Sequence, residues 1–218
     1  MMMARDIMRR FNVIFFDKIK QKHFFFLFVF ILHVSILFAP GTSIPVIGMK
    51  KTIQSIFTIE FIVGIIVFFL FFFKEELISI EKIKAASVAL FILLLIQFAY
   101  YSLGTHNAGL MTITKNNIST ILMLVLVAPF YEEVFYRGCL LDFLKPLTSG
   151  LIFPIMATSV TFSLIHTQYS SLTDHFVLFF ISVILCAVRI MTKSLLLPYV
   201  LHMLMNLFVF SISVQGFY

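Results

Sequence analysis

Residues 118–141 read ISTILMLVLVAPFYEEVFYRGCLL. The run is long and apolar enough to cross a bilayer as a helix, which takes about 20 residues. Yet it carries Glu132, Glu133 and Arg137 within six positions. Each ionised group in a span costs roughly 2.5–3.5 kcal/mol on insertion scales unless it is paired or faces a wet cavity. Residues four apart share a helix face, so Glu133 can pair with Arg137. Glu132 lies about 100° round the helix and points elsewhere. On a soluble helix this pattern is an ordinary solvated face; inside an apolar helix it reads as a working site.

Six further apolar runs flank this one, at roughly 23–39, 53–73, 85–103, 151–168, 175–192 and 194–213. The chain has 218 residues, 61% of them hydrophobic and 12% charged. A soluble domain is about 45–50% apolar and about 25% charged. A water-exposed surface on a chain of this size demands more polar residues than that. The 29 Phe fit side chains that face lipid. The fold class is therefore all-α: a polytopic transmembrane bundle of seven spans, with an eighth, re-entrant element able to hide in the 40–52 or 104–117 loops. Pro129 is expected to break the fourth span.

A net charge of +6 could imply nucleic acid in a soluble protein, but here Lys and Arg sit between the apolar runs and set topology. With the N-terminus inside, 13 of the 16 fall on the cytoplasmic side, at 5–22, 74–84, 137–145 and 189–193, and Lys50, Lys51 and Lys115 fall outside. The expectation is an integral protein of a bacterial cytoplasmic membrane, N-terminus inside, with the first run retained as an anchor. No nucleic-acid partner is implied. Cys139 and Cys186 lie in apolar runs without metal or disulfide spacing and read as small hydrophobes.

The chain divides into an N-terminal part, 1–116, with three spans and few polar residues, and a block at 117–213 that holds nearly all the chemistry. The block contains Phe162 and His166 one turn apart, then His202 and Asn206 one turn apart. A lone His near a helix end is ordinarily interfacial. Imidazole and carboxamide projecting together into a bundle can instead hold a metal, a water or a carbonyl oxygen. Three polar clusters on three neighbouring helices make the functional reading the stronger one.

Glu-Glu-x-x-x-Arg at 132–137, Phe-x-x-x-His at 162–166 and His-x-x-x-Asn at 202–206 together resemble the three-motif signature of the CAAX protease and bacteriocin-processing family. These are intramembrane endopeptidases that include the type II CAAX prenyl endopeptidase. Ala128-Pro129, Arg137-Gly138 and Lys193-Ser194-Leu195 also match the family's surroundings, and the resemblance covers roughly 117–210. The chain departs from the pattern at Ser182–Ala187, where the family often has glycines, and at Arg189 and Met191–Lys193. No His-Glu-x-x-His, Gly-x-Gly-Asp or Gly-x-Ser-x-Gly occurs, so zincin, presenilin-like and serine-nucleophile sites have no support.

The resemblance implies Glu132 as general base, with His166 helping to hold the attacking water. It implies His202 and Asn206 as donors to the oxyanion, with Glu133 and Arg137 orienting the helix and tuning Glu132. It implies no required cofactor as first choice. Zn²⁺ or another divalent metal on Glu132, His166 and His202 is the alternative, since two His and a Glu leave a water position. The substrate would be a hydrophobic peptide or membrane protein met in the lipid bilayer, with its identity and the oligomeric state left open. A non-catalytic immunity or scaffold protein that keeps the fold, or a small transporter, are the competing readings.

Straight spans leave one difficulty. They place Glu132 and His166 on the order of 10 Å apart in depth at about 1.5 Å per residue. Glu60, Gln97 and His33 are expected to face the bundle interior, and His23, His106 and His175 to lie near span ends.

Overall fold

The computed structural model describes residues 21–103 and 118–213, and these are helical with no strand among them. Helix α1 (Gln21–Leu37) meets α2 (Pro40–Ile47) at a bend of 47°. Then come α3 (Met49–Phe71) and α4 (Ile80–Leu103). They are followed by the long α5 (Ile118–Leu147), α6 (Ile152–Ile165), α7 (Leu172–Thr192) and α8 (Leu196–Ser213). The polytopic all-α reading holds. The basic residues before position 21, Lys115, His106 and the 104–117 loop lie outside the described residues.

Four helices, α3, α4, α5 and α7, are long and apolar enough to cross a membrane, and the bent α1–α2 pair makes a fifth. That is fewer than the seven expected, because the runs at 151–168 and 194–213 form shorter helices. Helix α6 has 14 residues and stops at Ile165, where His166 leaves helical geometry with ψ of 62°. Helix α8 starts late because Lys193 turns left-handed at φ 54° and Ser194 caps the new helix, its Oγ accepting from Leu197 N–H at 3.1 Å. A short helix, α2, occupies the 40–52 loop, one of the two loops in which a further element had room to hide.

Pro129 does not break α5. The helix runs on through it, with a π-wound turn before it at Met123–Val127 and a longer π-wound stretch after it at Glu133–Leu140. Widening to the five-residue hydrogen-bond register absorbs the residue that cannot donate.

Two apolar clusters frame the bundle. One joins Phe26 and Phe30 of α1, Val67 and Phe68 of α3 and Phe135 of α5. The other joins Leu93 of α4, Leu185 of α7 and Leu201 and Met205 of α8. Helix α7 packs on α6, α4 and α8, while α3 runs along α5. The charged face of α5 is thereby turned towards α6, α7 and α8.

One end of the bundle is tied by charge. Arg189 reaches Glu75 and Asp142, each at 3.3 Å, and lies over the Phe72 ring. Beside it, Glu76 in the α3–α4 linker accepts from Leu195 N–H at 2.6 Å, from Leu196 N–H at 3.4 Å and from the Ser194 hydroxyl. Its carboxylate thus closes the N-terminus of α8, where unpaired N–H groups and the helix dipole favour an anion.

Candidate active site

Glu133 is fully buried and pairs with Arg137 one turn on, Nη1 to Oε1 at 3.0 Å, as its spacing predicts. Arg137 uses its other terminal nitrogen to donate to Ser182 Oγ on α7 at 2.9 Å. Its guanidinium carbon lies 4.4 Å from the centre of the Phe162 ring. The charge is therefore held by a carboxylate, a hydroxyl and an aromatic face at once, as a buried cation requires. Ser182 figures in the sequence only as the first residue of a stretch that departs from the family's pattern, which gives no sign of this contact.

His202 stands between the two glutamates. Its Nδ1–H donates to Glu133 Oε1 at 2.8 Å, and its Nε2 faces Glu132 Oε2 at 3.8 Å. Because a carboxylate can only accept, Nδ1 carries the hydrogen. In the neutral ring Nε2 is then a lone pair aimed at Glu132, and it becomes a donor when the ring holds both protons. Glu132 keeps 18% of its side chain exposed against 1% for Glu133. The two adjacent carboxylates have separate situations: one sealed in an ion pair, one partly exposed.

His166 caps α6. Its Nδ1–H donates back to the Phe162 carbonyl at 2.6 Å, which again leaves Nε2 as the open nitrogen. The bond folds the imidazole back by one turn, about 5 Å along the helix.

Phe162 is the common surface. Its ring centre lies 4.4 Å from that of His166, 6.0 Å from that of His202 and 5.1 Å from that of Tyr136. All three motifs thus meet on one aromatic side chain. The hairpin presenting it is pinned by Ser163, whose hydroxyl donates to the His175 carbonyl at 2.7 Å across the α6–α7 turn.

Asn206 lies one turn beyond His202, but its amide is partly engaged elsewhere. Nδ2 donates to the Leu124 carbonyl at 3.1 Å. The reason is local to α5. Ala128 N–H bonds five residues back to Met123 O, and the next bond in that register would run from position 129 to Leu124. Pro129 has no N–H to make it. Asn206 supplies the missing donor and retains one amide hydrogen for another acceptor.

Among the described residues, no group of three or more His, Cys, Asp or Glu is arranged to hold a metal ion. Glu132 and His202 face each other as a pair, without His166 completing a three-ligand set. Cys139 and Cys186 are buried and unpaired with each other, in keeping with their reading as small hydrophobes.

Comparison with known proteins agrees with the motifs. Residues 114–208 match the family described as Type II CAAX prenyl endopeptidase Rce1-like. An "Uncharacterized 24.3 kDa protein" of Escherichia coli is 33% identical over 87 residues, covering 39% of this chain and 40% of that relative. The chain thus spans less than half the length of the relative it matches. No solved structure matches it.

Proposed function

We propose that this chain, which carries an Rce1-like CAAX endopeptidase domain over residues 114–208, is an intramembrane endopeptidase that hydrolyses a membrane-associated or hydrophobic peptide. The observation that carries the proposal is the Glu132–His202 pair: a partly exposed carboxylate facing an imidazole nitrogen at 3.8 Å, beside a second carboxylate that is sealed away.

In this reading Glu132 takes a proton from a water whose oxygen adds to the scissile carbonyl, while His166 Nε2 accepts the water's other hydrogen bond. The resulting oxyanion is met by His202 Nε2–H, available when the ring carries both protons, and by the free amide hydrogen of Asn206. Glu132 then passes its proton to the amide nitrogen, which leaves as an amine, and the other product is a carboxylic acid. Glu133 fixes the His202 ring orientation and neutralises Arg137. No step in this reading uses a metal.

An apolar, CAAX-type or precursor peptide is the substrate class that suits a site set among apolar helices. The Lys and Arg distribution supports an orientation with the N-terminus inside a bacterial cytoplasmic membrane. The test is cleavage of quenched hydrophobic peptides, with and without a C-terminal farnesyl group, by protein in liposomes. Wild type should release fluorescence and Glu132→Gln should not; equal rates would refute the proposal.

A further inference from the structure

The N-terminal helices lie outside the matched segment, yet they bury an ionisable pair against the back of α5. Glu60 is at the middle of α3 and fully buried, and His33 of α1 is 2% exposed. His33 Nδ1–H donates to Glu60 Oε1 at 3.0 Å. That tautomer leaves Nε2 to accept from the Tyr136 hydroxyl, at a long 3.4 Å. The His33 ring also lies 4.6 Å from that of Phe135 and 5.4 Å, edge-on, from that of Tyr136.

Tyr136 faces both ways. On one side it meets His33; on the other its ring stands edge-on to Phe162, the surface on which Arg137, His166 and His202 gather. Contacts therefore run without a gap from Glu60 to the two site imidazoles. A buried ion-pair-forming couple holds helices together no better than apolar residues of equal volume, and its best-attested use is to fix register. Phe-on-Phe contacts let α5 slide or rotate by small steps, whereas directional hydrogen bonds to Tyr136 do not.

We infer that His33 and Glu60 are positioning residues that set the depth and rotation of α5 and, through Tyr136, the seat of Phe162 beneath the histidines. The inference rests on the hydrolytic reading above. Tyr136→Phe removes one oxygen and should lower kcat roughly tenfold with KM unchanged, a fraction of what a misplacement of about 1 Å costs. His33→Phe should do the same, and the double variant should lose no more than either single one. Glu60→Gln should retain activity because its amide oxygen still accepts from His33, whereas Glu60→Leu should match His33→Phe.

Unchanged kcat in Tyr136→Phe, or additive losses in the double variant, would overturn the inference. So would equal losses in Glu60→Gln and Glu60→Leu. Should His33→Phe fail to fold, Tyr136→Phe carries the test. Should wild type cleave nothing, the hydrolytic reading fails on its own, and ¹⁵N spectra of histidine-labelled protein decide the network. Tyr136→Phe should then shift the ring nitrogens of His33 and His166, and an unmoved His166 would refute it.

Discussion

His202 donates its Nδ1–H to Glu133 Oε1 at 2.8 Å across 69 residues of sequence. The same Glu133 oxygen accepts from Arg137. This one atom joins the first and third motifs, so Glu133 and Glu132 should fail in different ways. Glu132→Gln should cut turnover by roughly 100-fold or more, the scale of general-base catalysis, with thermal stability in detergent unchanged. Glu133→Gln should unfold the protein early, because stripping one partner from a buried pair costs about 3–5 kcal/mol. Parallel melting and peptide-cleavage assays separate the two; a stable Glu133→Gln would contradict the assignment.

Removing both charges should behave differently from removing one. Glu133→Leu with Arg137→Met should recover most of the stability lost in either single variant, since no unpaired buried charge remains. It should not recover activity, because His202 loses the acceptor that orients it. Melting temperature and cleavage rate of the three variants check this.

The link between Asn206 and Pro129 is testable as a cycle. Asn206→Leu strips the Leu124 carbonyl of its donor and should cost about 1 kcal/mol, typical of one hydrogen bond. Pro129→Ala restores a backbone N–H in α5. In that background the stability cost of Asn206→Leu should shrink towards zero, while its effect on turnover should persist. Equal stability costs in both backgrounds would remove the proposed coupling.

The pairings along one helix were legible from spacing alone: Glu133 with Arg137, and His202 beside Asn206, follow from the helical repeat. The convergence of three polar clusters also followed, since ionised groups in hydrocarbon have few other partners. What faces what across helices was not legible. Spans that are apolar on every side carry no stripe to mark their inner face, so the meeting of His33 with Glu60, or of Arg137 with Ser182, had no signal. Glu76 had no signal either, because nothing in the chain points to Leu195, 119 residues away, as its partner. The widened turns round Pro129 were hidden for another reason: proline signals an unmade bond, not how the helix absorbs it.

Glu76 gives a prediction remote from the chemistry. Glu76→Ala uncovers the N-terminus of α8 and should cost about 1–2 kcal/mol, the upper range for a lost cap. His202 lies two turns along that helix, so turnover should fall as well. Glu76→Gln, which can still accept, should lie between the two in melting temperature.

Gly138 is required by contact rather than by backbone angle. A Cβ there would meet Phe72 Cε2 at 2.9 Å and Leu195 Cδ1 at 3.3 Å. The Phe72 ring has little room to move, being stacked on Phe26 and covered by Arg189. Gly138→Ala should destabilise by about 1–3 kcal/mol, as overpacking does, measured by thermal unfolding in detergent.

The most direct test compares wild type with Glu132→Gln in liposomes loaded with a hydrophobic quenched peptide, both treated with chelator. Matched melting curves, with cleavage by wild type and none by the variant, are the predicted result. Cleavage by Glu132→Gln at the wild-type rate would contradict the central claim that this carboxylate activates the water.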